Sequence, residues 1–311
     1  MNYTAGLVSV IIPTYKRSDL LRKAIDSVLG QTYANIELLV VNDNTKGDEF
    51  SLELYRLIDK YKDDRLKLIE QERHINGAAA RNAGIRVAQG EYIAFQDDDD
   101  YWEPTKIECQ VKSLSKLDSS YGAVACLMRL YRDGKLISAT LPYRSGYILM
   151  DILDRRTSMG TGALLIRRTA LDQSGYFDEN LKRHQDLQLF ACLTQKYKIH
   201  LDNVYLHNRE IKDAQNRLGP DEIKTVKDSY FKSINTILDS LNKRQKKIVY
   251  TMHYFELANS YRNAGNFRMA LKYSLSIWKS PVTLYLAFER VIKKVISTKF
   301  RYYLEKKYII K

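Results

Sequence analysis

The sequence predicts an α/β fold, a mostly parallel sheet wrapped by helices, with an all-helical extension at the C-terminal end. Three observations predict it. Short apolar runs rich in β-branched residues alternate four times with segments of helical period in the first hundred residues, the pattern of right-handed βαβ units. The apolar run at 92–95 leads through Gln96 into four consecutive carboxylates, Asp97, Asp98, Asp99 and Asp100, and open α/β sheets bind ligands beyond the carboxyl ends of their strands. From about residue 221 onward the strand pattern is gone and the periodicity reads as helical.

The elements follow in order. Residues 7–13 read as a buried strand ended by Pro13, and Ser18 is placed to cap a helix over 18–29 whose apolar stripe is Leu21, Ala24, Ile25 and Val28. A second buried strand spans 36–41 and ends at Asn42-Asp43-Asn44. Leu52, Tyr55, Leu57, Ile58 and Tyr61 predict a helix before a short strand at 66–69. A small-residue helix covers 77–88, and the strand at 91–95 enters the aspartate cluster. A helix over 104–117 then precedes two strands, 123–130 and 135–139, flanking the hairpin signal Asp133-Gly134. A strand is expected at 160–166, a helix at 186–196 and an alternating strand at 197–205, with a polar, aperiodic, mobile loop at 207–220. The domain boundary is placed there, giving a domain at 1–220, with halves 1–103 and 104–220, and a helical region at 221–311.

Bulk properties narrow the function. The 311 residues carry 50 Lys and Arg against 37 Asp and Glu, a formal net charge of +13. Such an excess fits nucleic acid, an anionic membrane or phosphorylated ligands. No standard nucleic-acid motif is present, and the aspartate cluster would repel a polyanion, so no nucleic-acid partner is expected. Cys109, Cys126 and Cys192 have neither a paired framework nor metal spacing, which predicts a reduced, cytoplasmic compartment. The opening residues are short and polar, so no signal peptide is expected, and no apolar run approaches the roughly 18 residues of a membrane span.

Four adjacent carboxylates repel one another unless a cation sits among them. Hard divalent cations such as Mg²⁺ take oxygen ligands, commonly one or two carboxylates plus substrate phosphates. The cluster therefore reads as a metal–phosphate site, against the plainer reading of a solvated acidic turn before Pro104.

Five blocks in order resemble the family 2 glycosyltransferases, inverting enzymes of the GT-A fold, a Rossmann-like mixed sheet. They are Val8 through Arg17; Leu38 through Thr45; Gly77 through Gly84 with Gly90 through Phe95; the aspartates at 97–100, similar to the family's D-x-D-D; and His184-Gln185-Asp186-Leu187, which falls where the family has Glu-Asp before a helix. The resemblance covers about residues 7–205 and departs from the pattern at Asn42 and Gln185. It implies that Pro13, Thr14, Tyr15 and Arg17 contact the nucleotide sugar, with Asp43 accepting from a base N–H. Tyr15 would stack on the base, Arg81 would hold a phosphate, and Asp97 and Asp98 would reach ribose hydroxyls or metal-bound water. A divalent metal, Mg²⁺ or Mn²⁺, would sit on Asp99 and neutralise the departing diphosphate. Asp186 would be the general base for the acceptor hydroxyl, and Thr161, Gly162 and His184 would line the acceptor pocket. Asp186 also suits the plainer role of a carboxylate at a helix N-terminus.

The implied reaction moves a hexose or N-acetylhexosamine from UDP to a glycan or lipid-linked acceptor in surface polysaccharide assembly, such as O-antigen or capsule. A sugar nucleotidyltransferase is disfavoured because 13–17 contains no glycine for a phosphate loop. The alternative from another class is an inactive GT-A scaffold serving as a basic membrane- or nucleic-acid-binding module.

Residues 254–281 have small residues, a glycine and a final proline spaced like one tetratricopeptide-type helix pair, which must bury its face on a neighbour. In 288–311, Phe288, Val291, Ile292, Val295, Ile296, Phe300, Tyr303 and Leu304 recur at helical spacing among Arg290, Lys293, Lys294, Lys299, Arg301, Lys306, Lys307 and Lys311. A basic amphipathic helix of this kind predicts peripheral contact with an anionic membrane, at the inner face of the cell membrane.

Overall fold

The computed structural model describes residues 3–157, 159–211, 218–278 and 281–308, with backbone alone for 18, 19, 276, 278, 294 and 297–308. Strands β1 (Thr4–Thr14), β2 (Ile36–Asn42), β3 (Leu66–Glu70) and β4 (Gly90–Phe95) form a parallel unit in the order β3-β2-β1-β4. Helices α1 (Ser18–Leu29), α2 (Glu49–Ile58) and α3 (Gly77–Val87) make the crossovers. Alternation along each strand feeds two cores: Val8, Val10 and Ile12 of β1 pack with Leu21, Ile25 and Val28 of α1, whereas Ile11 and Phe95 face the opposite side with Ala80 and Ile85 of α3. Gly84 lets α3 close on β1, because a Cβ there would lie 2.6 Å from Ile11 Cγ2.

The sheet continues with β5 (Asp100–Trp102), β6 (Tyr121–Arg132), β7 (Lys135–Ala139), β8 (Leu164–Arg167) and β9 (Lys198–Glu210) in the order β4-β8-β6-β9-β5, with β7 paired to β6. The β6–β7 hairpin turns at Asp133 and Gly134, with φ of 50° and 72°, as a two-residue primed turn demands. Helices α4 (Lys106–Leu114), α5 (Leu149–Leu153), α6 (Arg168–Ser174) and α7 (Gln185–Lys196) cover this half.

Two expectations are corrected. The loop placed over 207–220 is strand through Glu210, because His207, Asn208 and Arg209 pair with Trp102, Tyr101 and Asp100 of β5; residues 212–217 lie outside the described ones. The strand placed over 160–166 is a 3-10 turn, Thr161–Ala163, followed by β8.

The remaining described elements are helices: α8 (Pro220–Ser233), α9 (Asn235–Ser240), α10 (Lys243–Asn263), α11 (Phe267–Trp278) and α12 (Pro281–Tyr308). Helices α10 and α11 form the expected hairpin, with Gly265 at φ 76° in its turn. The pair packs through α10 on α5 of the sheet-bearing part and on α8, while α12 lies on β7. Leu271 and Leu275 of α11 stay more than half exposed, as do Tyr285 and Phe288 of α12. Of the basic amphipathic end, Phe300, Tyr303, Leu304, Lys294, Lys299, Arg301, Lys306, Lys307 and Lys311 have side chains outside the described residues. No helix among the described residues is long and apolar enough to cross a membrane.

Candidate active site

The end of β1 and the loop after β2 meet at one edge of the site. Pro13 and the buried Thr14 close β1, and Lys16 turns the chain with φ 56° while its N–H donates to Asn44 Oδ1 at 2.9 Å. A non-glycine residue in this region is strained and holds only where neighbours fix it. Tyr15 stacks on His74 with ring centroids 3.8 Å apart. His74 Nδ1 in turn bonds Asp43 Oδ2 at 3.0 Å. Asp43 Oδ1 accepts from the Gln71 amide at 3.0 Å and the Ile75 N–H at 3.2 Å. Burial pushes the Asp43 carboxyl up, against the Ile75 N–H and His74. Tyr15, His74 and Asp43 thus form one tied unit. Asn42 is spent on the fold: its amide donates to Ser51 and Glu70.

The four aspartates form the turn between β4 and β5. The Asp100 N–H donates to the Asp97 carbonyl at 3.2 Å. Asp97 accepts from Arg81 of α3 at 2.6 Å. Burial would raise its carboxyl, but Arg81 first, then Arg209 and His207, hold it below the usual range. Arg17 Nη1 reaches Asp99 at 2.8 Å and Asp98 at 3.4 Å. Burial, then the neighbouring Asp99, pushes Asp98 up to about 7 despite Arg17 and the Thr14 hydroxyl. Burial, then Asp100 and Asp97, pushes Asp99 up as well. Asp100 is structural: its carboxylate takes His207 Nε2 at 2.9 Å and the Glu210 N–H at 3.2 Å.

The donor set fits a hard cation. Asp98 and Asp99 are crowded carboxylates that share the half-exposed Arg17. Among the described residues no three such side chains converge as a complete cage. Oxygen ligands from one or two carboxylates, with the rest from phosphates and water, is the arrangement Mg²⁺ and related ions take beside a diphosphate.

Opposite this turn lies α7. A cavity of about 660 Å³ brings Asp186 of α7 together with Asp97, Arg81, Thr161, Gly162 and His184. Asp186 sits in the first turn, where the helix dipole favours its charge. His184 precedes it in the left-handed region, φ 63°, with its ring edge against Tyr230. Burial, then Lys227 and Arg155, lowers His184 to about 4, so its imidazole is neutral at pH 7 and offers no charge to a phosphate. The 3-10 turn carrying Thr161 and Gly162 is pinned by buried Gln110, whose amide donates to Ala163 O at 2.8 Å and Val124 O at 3.1 Å. Of the expected residues, Pro13, Thr14, Tyr15, Arg17, Asp43, Asp98 and Asp99 do not line this cavity.

The sequence reading missed three residues: His74, His207 and Arg209. Arg209 lines the cavity, and its charge acts on Asp100, Asp97, Asp99 and Asp186. Continued alternation past Tyr205 is the one sequence signal that could have placed His207 and Arg209 on a strand.

The family model for "Glycosyl transferase family 2" matches residues 9–175. The chain belongs to this family. It is therefore a glycosyltransferase, an enzyme of the transferase class, and its mixed sheet is the GT-A fold. It is 32% identical over 219 residues to an uncharacterized glycosyltransferase of Rickettsia typhi, covering 69% of this chain and 67% of that one. It is 26% identical over 250 residues, 80% of this chain and 92% of the relative, to the Escherichia coli UDP-Glc:alpha-D-GlcNAc-diphosphoundecaprenol beta-1,3-glucosyltransferase WfgD. Among solved structures it superposes on Staphylococcus aureus TarS 1–349 in complex with UDP-GlcNAc, with TM-score 0.59, 15% identity, and 88% and 92% of the two chains covered. The mannosyltransferase PcManGT from Pyrobaculum calidifontis, in complex with GDP-Man and Mn²⁺, gives TM-score 0.58 and 18% identity, with 98% and 88% covered.

Proposed function

We propose that this glycosyltransferase moves a sugar, with inversion, from a nucleotide-diphosphate donor of the UDP-hexose or UDP-N-acetylhexosamine type to a hydroxyl of a lipid-linked glycan. The observation that carries the reading is the single cavity lined by Asp186, the Arg81-bound Asp97, Thr161 and Gly162. The place of the reaction is surface polysaccharide assembly, O-antigen or capsule, on the cytoplasmic face of the membrane. WfgD of Escherichia coli supports the acceptor class, since it is named for a sugar on diphosphoundecaprenol.

In this reading residues 1–220 are the catalytic domain, and 221–311 are a helical region whose α12 lies against the membrane. Pro13, Thr14, Tyr15 and Asp43 hold the base and ribose, and Asp43 recognises a base N–H when Gln71 or His74 gives way. Arg81 and Arg17 meet the diphosphate. Asp97 and Asp98 take ribose hydroxyls or metal-bound water, and Asp99 is the metal ligand. Mg²⁺ or Mn²⁺, when bound, supplies charge to stabilise the leaving diphosphate. Asp186 orients the acceptor hydroxyl and takes its proton as the oxygen attacks the anomeric carbon. The carbon–oxygen bond to the diphosphate breaks, and the nucleoside diphosphate leaves with the electron pair. A single displacement from the opposite face inverts the centre. Thr161, Gly162 and His184 shape the acceptor side.

The test is nucleotide release from a panel of donors with Mn²⁺ or Mg²⁺ and then with EDTA, beside Asp99→Ala. Release of UDP from one donor, lost with EDTA and in the variant, is the expected result. No release from any donor under any condition would overturn the reading.

A further inference from the structure

A second and larger cavity, of about 1370 Å³, lies between the β6–β7 hairpin, α10 and α12. It adjoins the catalytic cavity, because Arg209, Leu218, Ile223 and Glu256 line both. Its described lining carries six cationic side chains, Arg155, Arg156, Arg209, Arg262, Arg290 and Lys293, against a single carboxylate, Glu256. Part of that charge is answered from behind: Arg156 by Asp154, and Lys293 by Glu289. Glu256 is not enough for the rest. Arg155 and Arg290 of this lining converge on it together with Lys227 of the adjoining cavity, so three cations share one partly buried carboxylate.

Two hydrogen-bond donors on this wall are also unused. Tyr143 Oη and Arg290 Nη1 are buried without a partner, although native structures satisfy most such atoms. Arg155 is held at φ 64°, a strained setting for a residue with a side chain. The remaining wall is apolar, and Val291 and Val295 of α12 lie both on the cavity and half exposed on the surface. There they join Phe288 and Ile292 in an exposed stripe.

Surplus charge, unused donors and an apolar exit describe an amphiphilic anion. We propose that this cavity binds the diphosphate of the lipid-linked acceptor, with the lipid leaving along α12 and the acceptor sugar passing Arg209 toward Asp186. The inference rests on the transferase reading above for its acceptor class. A diphosphate joining a lipid to a sugar carries one negative charge on each phosphate, the sign that the surplus of cations on this lining would attract. Arginine forks and a phenol are suited to its oxygens. The stripe of Phe288, Val291, Ile292 and Val295 gives the lipid an apolar path to the membrane surface.

The experiment measures binding of farnesyl diphosphate, inorganic pyrophosphate and farnesol to the full chain in EDTA, where the aspartate turn has no metal to attract a diphosphate. Farnesyl diphosphate is expected to bind more tightly than either other probe and to resist displacement by UDP. Arg290→Ala is expected to weaken it about tenfold, the size of one charged contact, and Tyr143→Phe and Arg262→Ala severalfold, with UDP binding in Mn²⁺ unchanged. Should Arg290→Ala fail to fold, the other two variants decide. Displacement by UDP, or affinity unchanged in the variants, overturns the proposal. Pyrophosphate binding as tightly as the lipid makes this a free-phosphate site and also overturns it. Donor turnover without farnesyl diphosphate binding defeats this inference alone. Binding without turnover of any donor defeats the transferase reading and leaves the anion site standing.

Discussion

His207 and Gly162 occupy one space: a Cβ on Gly162 would lie 2.6 Å from His207 Cε1. The imidazole fills that gap while its Nε2 bonds Asp100 at 2.9 Å, with both side chains buried. One contact therefore sets the aspartate turn against the 3-10 turn that carries Gly162. Gly162→Ala is expected to push His207 from Asp100, destabilise the fold by about 1–3 kcal/mol as overpacking does, and reduce turnover. Denaturant unfolding beside an activity assay measures both. Wild-type stability and turnover would show that the contact yields without consequence.

Asp186→Asn keeps the size and the helix position of the side chain but not its ability to take a proton. Turnover is expected to fall by at least about a hundredfold, the range of general-base loss, while nucleotide affinity stays as it was. Titration with UDP and Mn²⁺ beside a transfer assay separates the two. Near-normal transfer would remove Asp186 from proton abstraction.

Arg17 is the cation between Asp98 and Asp99. It competes with a metal for the same oxygens yet suits the diphosphate. Arg17→Ala is therefore expected to raise the affinity for Mn²⁺ alone and to lower that for UDP with Mn²⁺. Calorimetry with each ligand measures the pair of signs. If both affinities rose, Arg17 would have no part in holding the nucleotide.

Burial, followed by Lys227 and Arg155, lowers His184 to about 4. Its unfolded value is near 6.5. Between these values the unfolded chain binds a proton that the folded chain refuses. Stability is therefore full above about pH 6.5 and falls as pH drops toward 4, by at most about 3 kcal/mol from this group. His253, lowered still further by burial and Lys227, acts in the same direction. His184→Asn, which tolerates the left-handed backbone, is expected to flatten part of the acid loss. Thermal unfolding at pH 7, 6 and 5 reads it. A wild-type chain equally stable at all three would sink this account.

The sequence by itself determined the parts that local pattern encodes. The alternation of β1 to β4 with α1 to α3 is written in hydrophobic period. So is the position of the aspartates at a strand end and of Asp186 in the first turn of a helix, since neither needs a distant partner. The tertiary structure decided the rest. β5 has only three residues and exists because β9 pairs with it, and His207 reaches Asp100 across 107 positions of chain. His74 likewise belongs to the site through a stack on Tyr15 and a bond to Asp43, which local spacing does not encode. The excess of cations around Glu256 is assembled from α8, α10, α12 and the chain after α5. Hydrophobic period is a property of neighbours along the chain, whereas a shared buried charge is a property of segments that meet only once the core has closed.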